Sequence, residues 1–481
     1  MRASGYSTTR RLSMTAIVAI VATLGGCAAV PHYVSPATEV SGSFYNDPGP
    51  DFDDASPEGS WWQGFDDPIV SELVSDALVE NHDIRIARVN IAAARAELRQ
   101  SEFDAYPTVT TRASVRKNYN SFAATPGADR TVALYDAGFD ARWELDFFGS
   151  VSSAEAATAA EYEAAIFDRR AVAVVVAAEV ARHYIELRGA QKELDVVRQN
   201  AANQRRTYDL VLLLESAGRA TRLDVARSEA QLQNTHADMP PLEEKVARAI
   251  HRLAVLTGRQ PALLTELLAE VAPIPSVPDT LSIGTPTDLL RRRADVQRAE
   301  RRLAAATARV GVATSNLFPR ITILGSAGTT ARTLDGLSSG RNSRSTFGPF
   351  LSWAALDLGT VRAQIVAAEA KSGVMLFEYE QTVLQVLEEA ENALVKFAKA
   401  TSRHAHLQAA AETSETAERL ARIRYQAGAD SFLDVLVAER QLLDVQRKSA
   451  KARTEWALAF VSLYKALGGG WQRLEELDPV S

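Results

Sequence analysis

With 481 residues, 53 basic and 60 acidic, the chain is long enough for two or three domains, and it is too acidic for a nucleic-acid partner: Arg2, Arg10 and Arg11 lie in a leader without acids, leaving 50 against 60. Its one cysteine, Cys27, excludes an internal disulfide. The histidines are scattered, His404 and His406 point about 160° apart on a helix, and there is no Gly-x-Ser-x-Gly elbow, dinucleotide fingerprint or Walker loop, so no enzyme, cofactor or metal is expected.

Residues 1–26 read as a signal peptide, Arg10 and Arg11 preceding an apolar run from Met14 to Leu24 that is too short to span a bilayer. Leu24-Gly25-Gly26-Cys27 resembles the bacterial lipobox, which implies cleavage before Cys27 and acylation there, as by palmitate; alanine rather than aspartate at position 28 implies sorting to the outer membrane. Residues 27–66 form the lipidated tether, poor in helical period and ending in a packed anchor of Trp61 and Trp62.

A first structural repeat is expected over 67–271. Apolar spacing predicts a short helix from Asp67 to Glu80 and a longer one from Asp83 to Phe103. Alternating residues then predict a strand pair at about 107–147, Pro107–Tyr119 and Thr131–Phe147. Alone, such a pair fits an ordinary half-buried hairpin as well as part of a membrane barrel. Ser153 to Ser216 lacks proline and predicts a helix of about 95 Å at 1.5 Å per residue. Its apolar stretch Ala171–Ala178, flanked by Asp168, Arg169, Arg170 and Glu179, is too short to cross a membrane. The returning helix reaches about Ala237, breaks at Pro240-Pro241, and resumes from Leu242 to Leu256 before Gly258.

Prolines 273, 275, 278 and 286 mark a linker over 272–286, and a second repeat over 287–470 follows the same order: a segment Thr287–Arg293, a helix Asp295–Asn316, a strand pair at about 319–357 (Arg320–Thr330 and Arg344–Leu356), a long helix Val361–Gln426 and a return, with 471–481 left as a tail. Trp143 and Trp353, Gly149 and Gly359, Asp224 and Asp434, and Gly258 and Gly468 all lie 210 positions apart. Within that frame Ala217-Gly218-Arg219-Ala220-Thr221-Arg222-Leu223-Asp224-Val225 recurs as Ala427-Gly428-Ala429-Asp430-Ser431-Phe432-Leu433-Asp434-Val435. Each copy predicts a helical-hairpin tip, Gly218 or Gly428 turning left-handed and Thr221 or Ser431 capping the next helix. Two matching tips are expected to work together. Four strands cannot close a barrel alone, so spanning a membrane would require several copies.

Thr287-Asp288-Leu289-Leu290-Arg291-Arg292-Arg293-Ala294-Asp295-Val296 with Ala299-Glu300, Asn316-Leu317-Phe318-Pro319, Leu356-Asp357-Leu358-Gly359 and Tyr425-Gln426-Ala427-Gly428 resemble the TolC-like outer-membrane efflux family, in its lipoprotein multidrug-exit branch. The match covers nearly the whole chain. It implies a mainly α fold with a small β part, in which long helical hairpins make a trimeric periplasmic α-barrel on a 12-stranded outer-membrane β-barrel, four strands per chain. It also implies a periplasmic adaptor protein, an inner-membrane RND-type transporter, and a passive route for drugs or other toxic compounds. In that picture Asp224 and Asp434 form the selectivity gate, Tyr425 and Asp224 are candidates for a tip hydrogen bond, and Arg219 or Arg222 pairs with Asp430. Two departures stand out: alanine at 294 where the family has proline, and Val437 where relatives often carry a second aspartate, which predicts a thinner acidic ring. The alternatives are a non-conducting periplasmic coiled-coil scaffold lipoprotein and the exit duct of a protein-secretion system.

Overall fold

A computed structural model describes residues 33–479, except 38, 47–51, 54, 56, 57, 122 and 124–128; the signal peptide, the lipobox and Cys27 lie outside the described residues. In chain order β1 (Phe52–Asp53) and a 3-10 turn (Trp61–Phe65) precede α1 (Pro68–Glu80), α2 (His82–Asp104), β2 (Thr108–Tyr119), β3 (Thr131–Leu145), the 67-residue α3 (Ser150–Ser216), α4 (Arg222–Ala237), α5 (Met239–Leu256) and α6 (Thr265–Ala269). After β4 (Leu281–Ser282) come α7 (Pro286–Arg292), α8 (Ala294–Ser315), β5 (Arg320–Ala331), β6 (Ser343–Ser352), the 69-residue α9 (Leu358–Gln426), α10 (Phe432–Ala466) and α11 (Trp471–Leu477). Among the described residues no helix is long and apolar enough to cross a membrane.

The expected break is present between Ala237 and Met239, and Pro240 and Pro241 lie in the first turn of α5, where proline forfeits no intrahelical bond. Two local expectations change. The expected tail carries α11, and β4 gives the proline-rich linker a strand, paired in parallel with β1 (Phe52 with Leu281, Asp53 with Ser282). Alanine at 294 does not cost α8 its start.

The chain divides into two compact units. The first takes residues 91–165 and 298–380 with residues 33–37. Its sheet is antiparallel throughout, in the order β2-β3-β5-β6. Side chains alternate across a strand, and this register puts Val109, Val115, Tyr135, Phe139, Trp143, Ile321, Ile323, Phe347 and Leu351 on one face. Arg112, Arg116, Asp136, Asp140, Arg142, Thr330 and Arg344 take the other, where Arg344 binds Asp136 at 2.9 Å and Arg112 binds Asp140 at 2.8 Å. The apolar face is bare: Val115 is 66%, Phe139 59% and Phe347 82% exposed. The duplication extends to single bonds. Trp143 Nε1 donates to Ala105 O (2.9 Å) just before Tyr106-Pro107, and Trp353 Nε1 donates to Leu317 O (3.0 Å) just before Phe318-Pro319.

The second unit takes residues 38–90, 166–297 and 381–481. Trp61, Trp62 and Phe65 are buried, Trp61 stacking on Tyr464 (centroids 5.8 Å) and Phe65 meeting Phe460 edge-on (4.9 Å). The family-like arginines have a structural task here. The last carbonyls of a helix lack intrahelical donors; Arg293 donates to Ala466 O (2.6 Å) and Arg292 to Leu467 O (2.9 Å) at the end of α10. In the first repeat Asn81 does the same for Leu256 O (2.9 Å) at the end of α5. Buried Arg169 binds the Asp478 carboxylate at 2.6 Å, fastening the segment after α11. Replacing Trp62, 1% exposed, by alanine should destabilise the protein by about 3–5 kcal/mol, measured as a shift in denaturant midpoint.

Candidate gate at the paired hairpin tips

Both tips belong to the second unit, and their turns are built alike. Gly218 (φ 73°) and Gly428 (φ 72°) are left-handed, where a Cβ costs energy. Beside each, the next amide reaches back five residues, Arg219 N–H to Leu214 O (2.8 Å) and Ala429 N–H to Arg424 O (2.9 Å), satisfying a carbonyl that the ending helix leaves open.

The following helices start with the same device. Asp224 Oδ2 accepts from the Thr221 amide (3.0 Å) and hydroxyl (2.6 Å), and Asp434 Oδ2 accepts from the Ser431 amide (3.0 Å) and hydroxyl (2.7 Å). These are capping boxes with aspartate at the third helical position. Each aspartate is thus anchored through one oxygen, and the negative charge sits at a helix N-terminus, where the helix dipole favours it. The Thr221 bonds hold the Asp224 carboxyl below the ordinary aspartate range.

The tips pack on each other. Val211, Ala220 and Val225 of the first share an apolar cluster with Tyr425, Phe432, Val435 and Leu436 of the second, Tyr425 lying 5.6 Å from Phe432 between ring centroids. Tyr425 and Asp224 are electrostatic neighbours without a hydrogen bond among the described residues; partial burial first, and the Asp224 charge second, push the phenol up. Asp430 does not take Arg219 or Arg222. Arg424, six residues earlier across the same tight turn, binds it through two contacts of 2.6 and 2.9 Å, and this pair holds the Asp430 carboxyl low. The partner is local because the turn brings residues 424 and 430 together before any other chain segment is needed. Exposed apolar side chains surround the tips, among them Leu213, Leu223, Ile423, Leu433 and Val437. The aspartates and turns were visible as a repeat; the Arg424 pair had no counterpart in the first copy and so no signal in the duplication.

The outer membrane efflux protein family matches residues 73–259 and again 285–469, one match per structural repeat. Nodulation protein T of Rhizobium leguminosarum bv. trifolii is 30% identical over 457 residues, 93% of this chain and 95% of that protein. Outer membrane protein OprJ of Pseudomonas aeruginosa is 30% identical over 463 residues, 94% of this chain and 95% of that one. Among solved structures, the outer-membrane channel OprN superposes with a TM-score of 0.88 at 38% identity, covering 93% of this chain and 100% of its own.

A carboxylate bound preferentially when ionised contributes stability above its unfolded pKa and loses it as pH falls through the lowered folded pKa. Thr221→Ala should therefore cost about 1 kcal/mol at neutral pH. In urea melts between pH 7 and pH 3, the gap to wild type should narrow as Asp224 protonates.

Proposed function

The chain belongs to the outer membrane efflux protein family, and we propose that it is the outer-membrane exit duct of a tripartite efflux pump, a homotrimer that conducts drugs or other toxic small molecules passively. The observation that carries this reading is the four-stranded sheet with a bare apolar face and two edges that are unpaired among the described residues. In lipid every backbone N–H and C=O needs a partner within the protein, so an open sheet cannot stand there. Pairing β6 of one protomer with β2 of the next removes both edges, and three protomers supply twelve strands. The apolar face then meets lipid, and the Arg112, Asp136, Asp140 and Arg344 face lines water, the arrangement of a transmembrane barrel.

The paired tips serve as the gate, in the periplasm. Three copies each of Asp224 and Asp434 around a narrow axis repel anions and favour cations. A ring without an aspartate at Val437 is correspondingly thinner. The exposed apolar residues around the tips suit a periplasmic adaptor that links the duct to an inner-membrane RND-type transporter, which supplies the energy. Acyl chains on Cys27 hold the N-terminus in the outer membrane of a Gram-negative cell. Such a duct needs no catalytic group and no cofactor.

Purified protein in a planar bilayer should show a small, cation-selective conductance, and Asp434→Ala should reduce its selectivity. Asp224→Ala should do so too, whereas Thr221→Ala, which loosens the cap and keeps the charge, should change it far less. Selectivity unaltered by both aspartate substitutions would move the constriction away from the tips.

A further inference from the structure

Just above the tips a carboxylate is buried between the hairpins. Glu439 of α10 is 5% exposed. Its Oε1 accepts from Thr207 Oγ1 of α3 (2.7 Å) and from an Arg422 amino group of α9 (2.9 Å), while Oε2 is buried with no partner among the described residues. Arg422 is also held by Glu418, its Nε donating at 2.9 Å. One guanidinium therefore serves two carboxylates, and the group carries an excess negative charge of which Glu439 is the buried member. The charged groups that act on Glu439 are Arg422 and Glu418, both on α9; α3 contributes the neutral Thr207. This side chain joins three helices of both hairpins, one turn beyond the cluster of Val211, Phe432 and Val435 that seals the tips.

We propose that Glu439 is a proton-controlled latch on the paired tips: neutral, it lets α3, α9 and α10 stay packed, and ionised, it favours their parting so that water reaches it. A buried carboxylate with one oxygen unpaired loses hydration that its partners only partly replace, and parting the hairpins restores it. Burial, the largest influence, pushes the Glu439 carboxyl up, outweighing Thr207 and Arg422. A carboxyl with a raised pKa in the packed arrangement binds more protons there than in water, so acid favours packing and rising pH erodes it. The latch rests on reading the tips as a gate. Glu439 touches no permeant in this picture; it positions the helices that do.

The test compares wild type with the isosteric Glu439→Gln, which keeps an acceptor for Thr207 and cannot ionise. Hydrogen exchange of the amides at Val211 and Val435 in the full-length purified protein is read between pH 5 and pH 8, as the ratio of the two proteins' rates at each pH, which cancels the intrinsic pH effect. The ratio should be near one at the acid end and rise by up to about tenfold at the alkaline end. Conductance in planar bilayers should follow, increasing with pH in wild type and staying low and flat in the variant. A ratio that does not change with pH overturns the latch, whether or not the protein conducts. A pH-dependent ratio in a protein that never conducts supports the latch and overturns the duct.

Discussion

Long helices leave few unsatisfied backbone groups per residue, but those they leave are concentrated at their ends, and the chain is built around satisfying them. At the tips, a left-handed glycine and a back-reaching amide close α3 and α9, and a threonine or serine with an aspartate opens α4 and α10. At the far ends of the return helices, Asn81 closes α5 and Arg292 with Arg293 close α10. The tip device uses the same chemistry in both repeats. The other differs, an amide in one and guanidinium groups in the other, because only the donor and its reach matter. The arginine-rich signature is thus a helix-end fitting, with Asp295 and Glu389 neutralising Arg293 where it is mostly buried.

The sheet faces the converse problem. Its internal ladders are complete, yet among the described residues its outer edges and apolar face have no partner. Edges of this kind invite pairing, and the bare apolar face removes the option of leaving them in water.

Most of the architecture was legible from period and repetition. Proline-free alanine-rich runs give the long helices, and alternation gives the strands to within a few residues because a twofold period has no helical reading. The 210-residue offset separates functional-looking tips from incidental turns. What escaped was contact between segments distant in the chain without periodic marking. Two residues suffice for the β1 and β4 pairing, too short to alternate. Glu439 with Thr207 and Arg169 with Asp478 depend on how helices rotate against each other, which apolar spacing sets only coarsely. Asn81 and Arg293 were recoverable: they lie 212 positions apart, the same spacing as Tyr106 and Phe318, but unlike side chains hid the match.

The aromatic anchor bears on how the chain can be made. Trp61 and Phe65, among the first residues of the second unit, are covered by Phe460 and Tyr464 near the end of the last long helix, and the N-terminal β1 pairs with the linker that joins the repeats. Residues of the tether therefore wait for residues near the end of the second repeat before they are covered. Although the molecule is two copies of one motif, it is no longer two modules: cutting it at the linker would leave both halves with uncovered apolar surface, so this core closes only once α10 has been made.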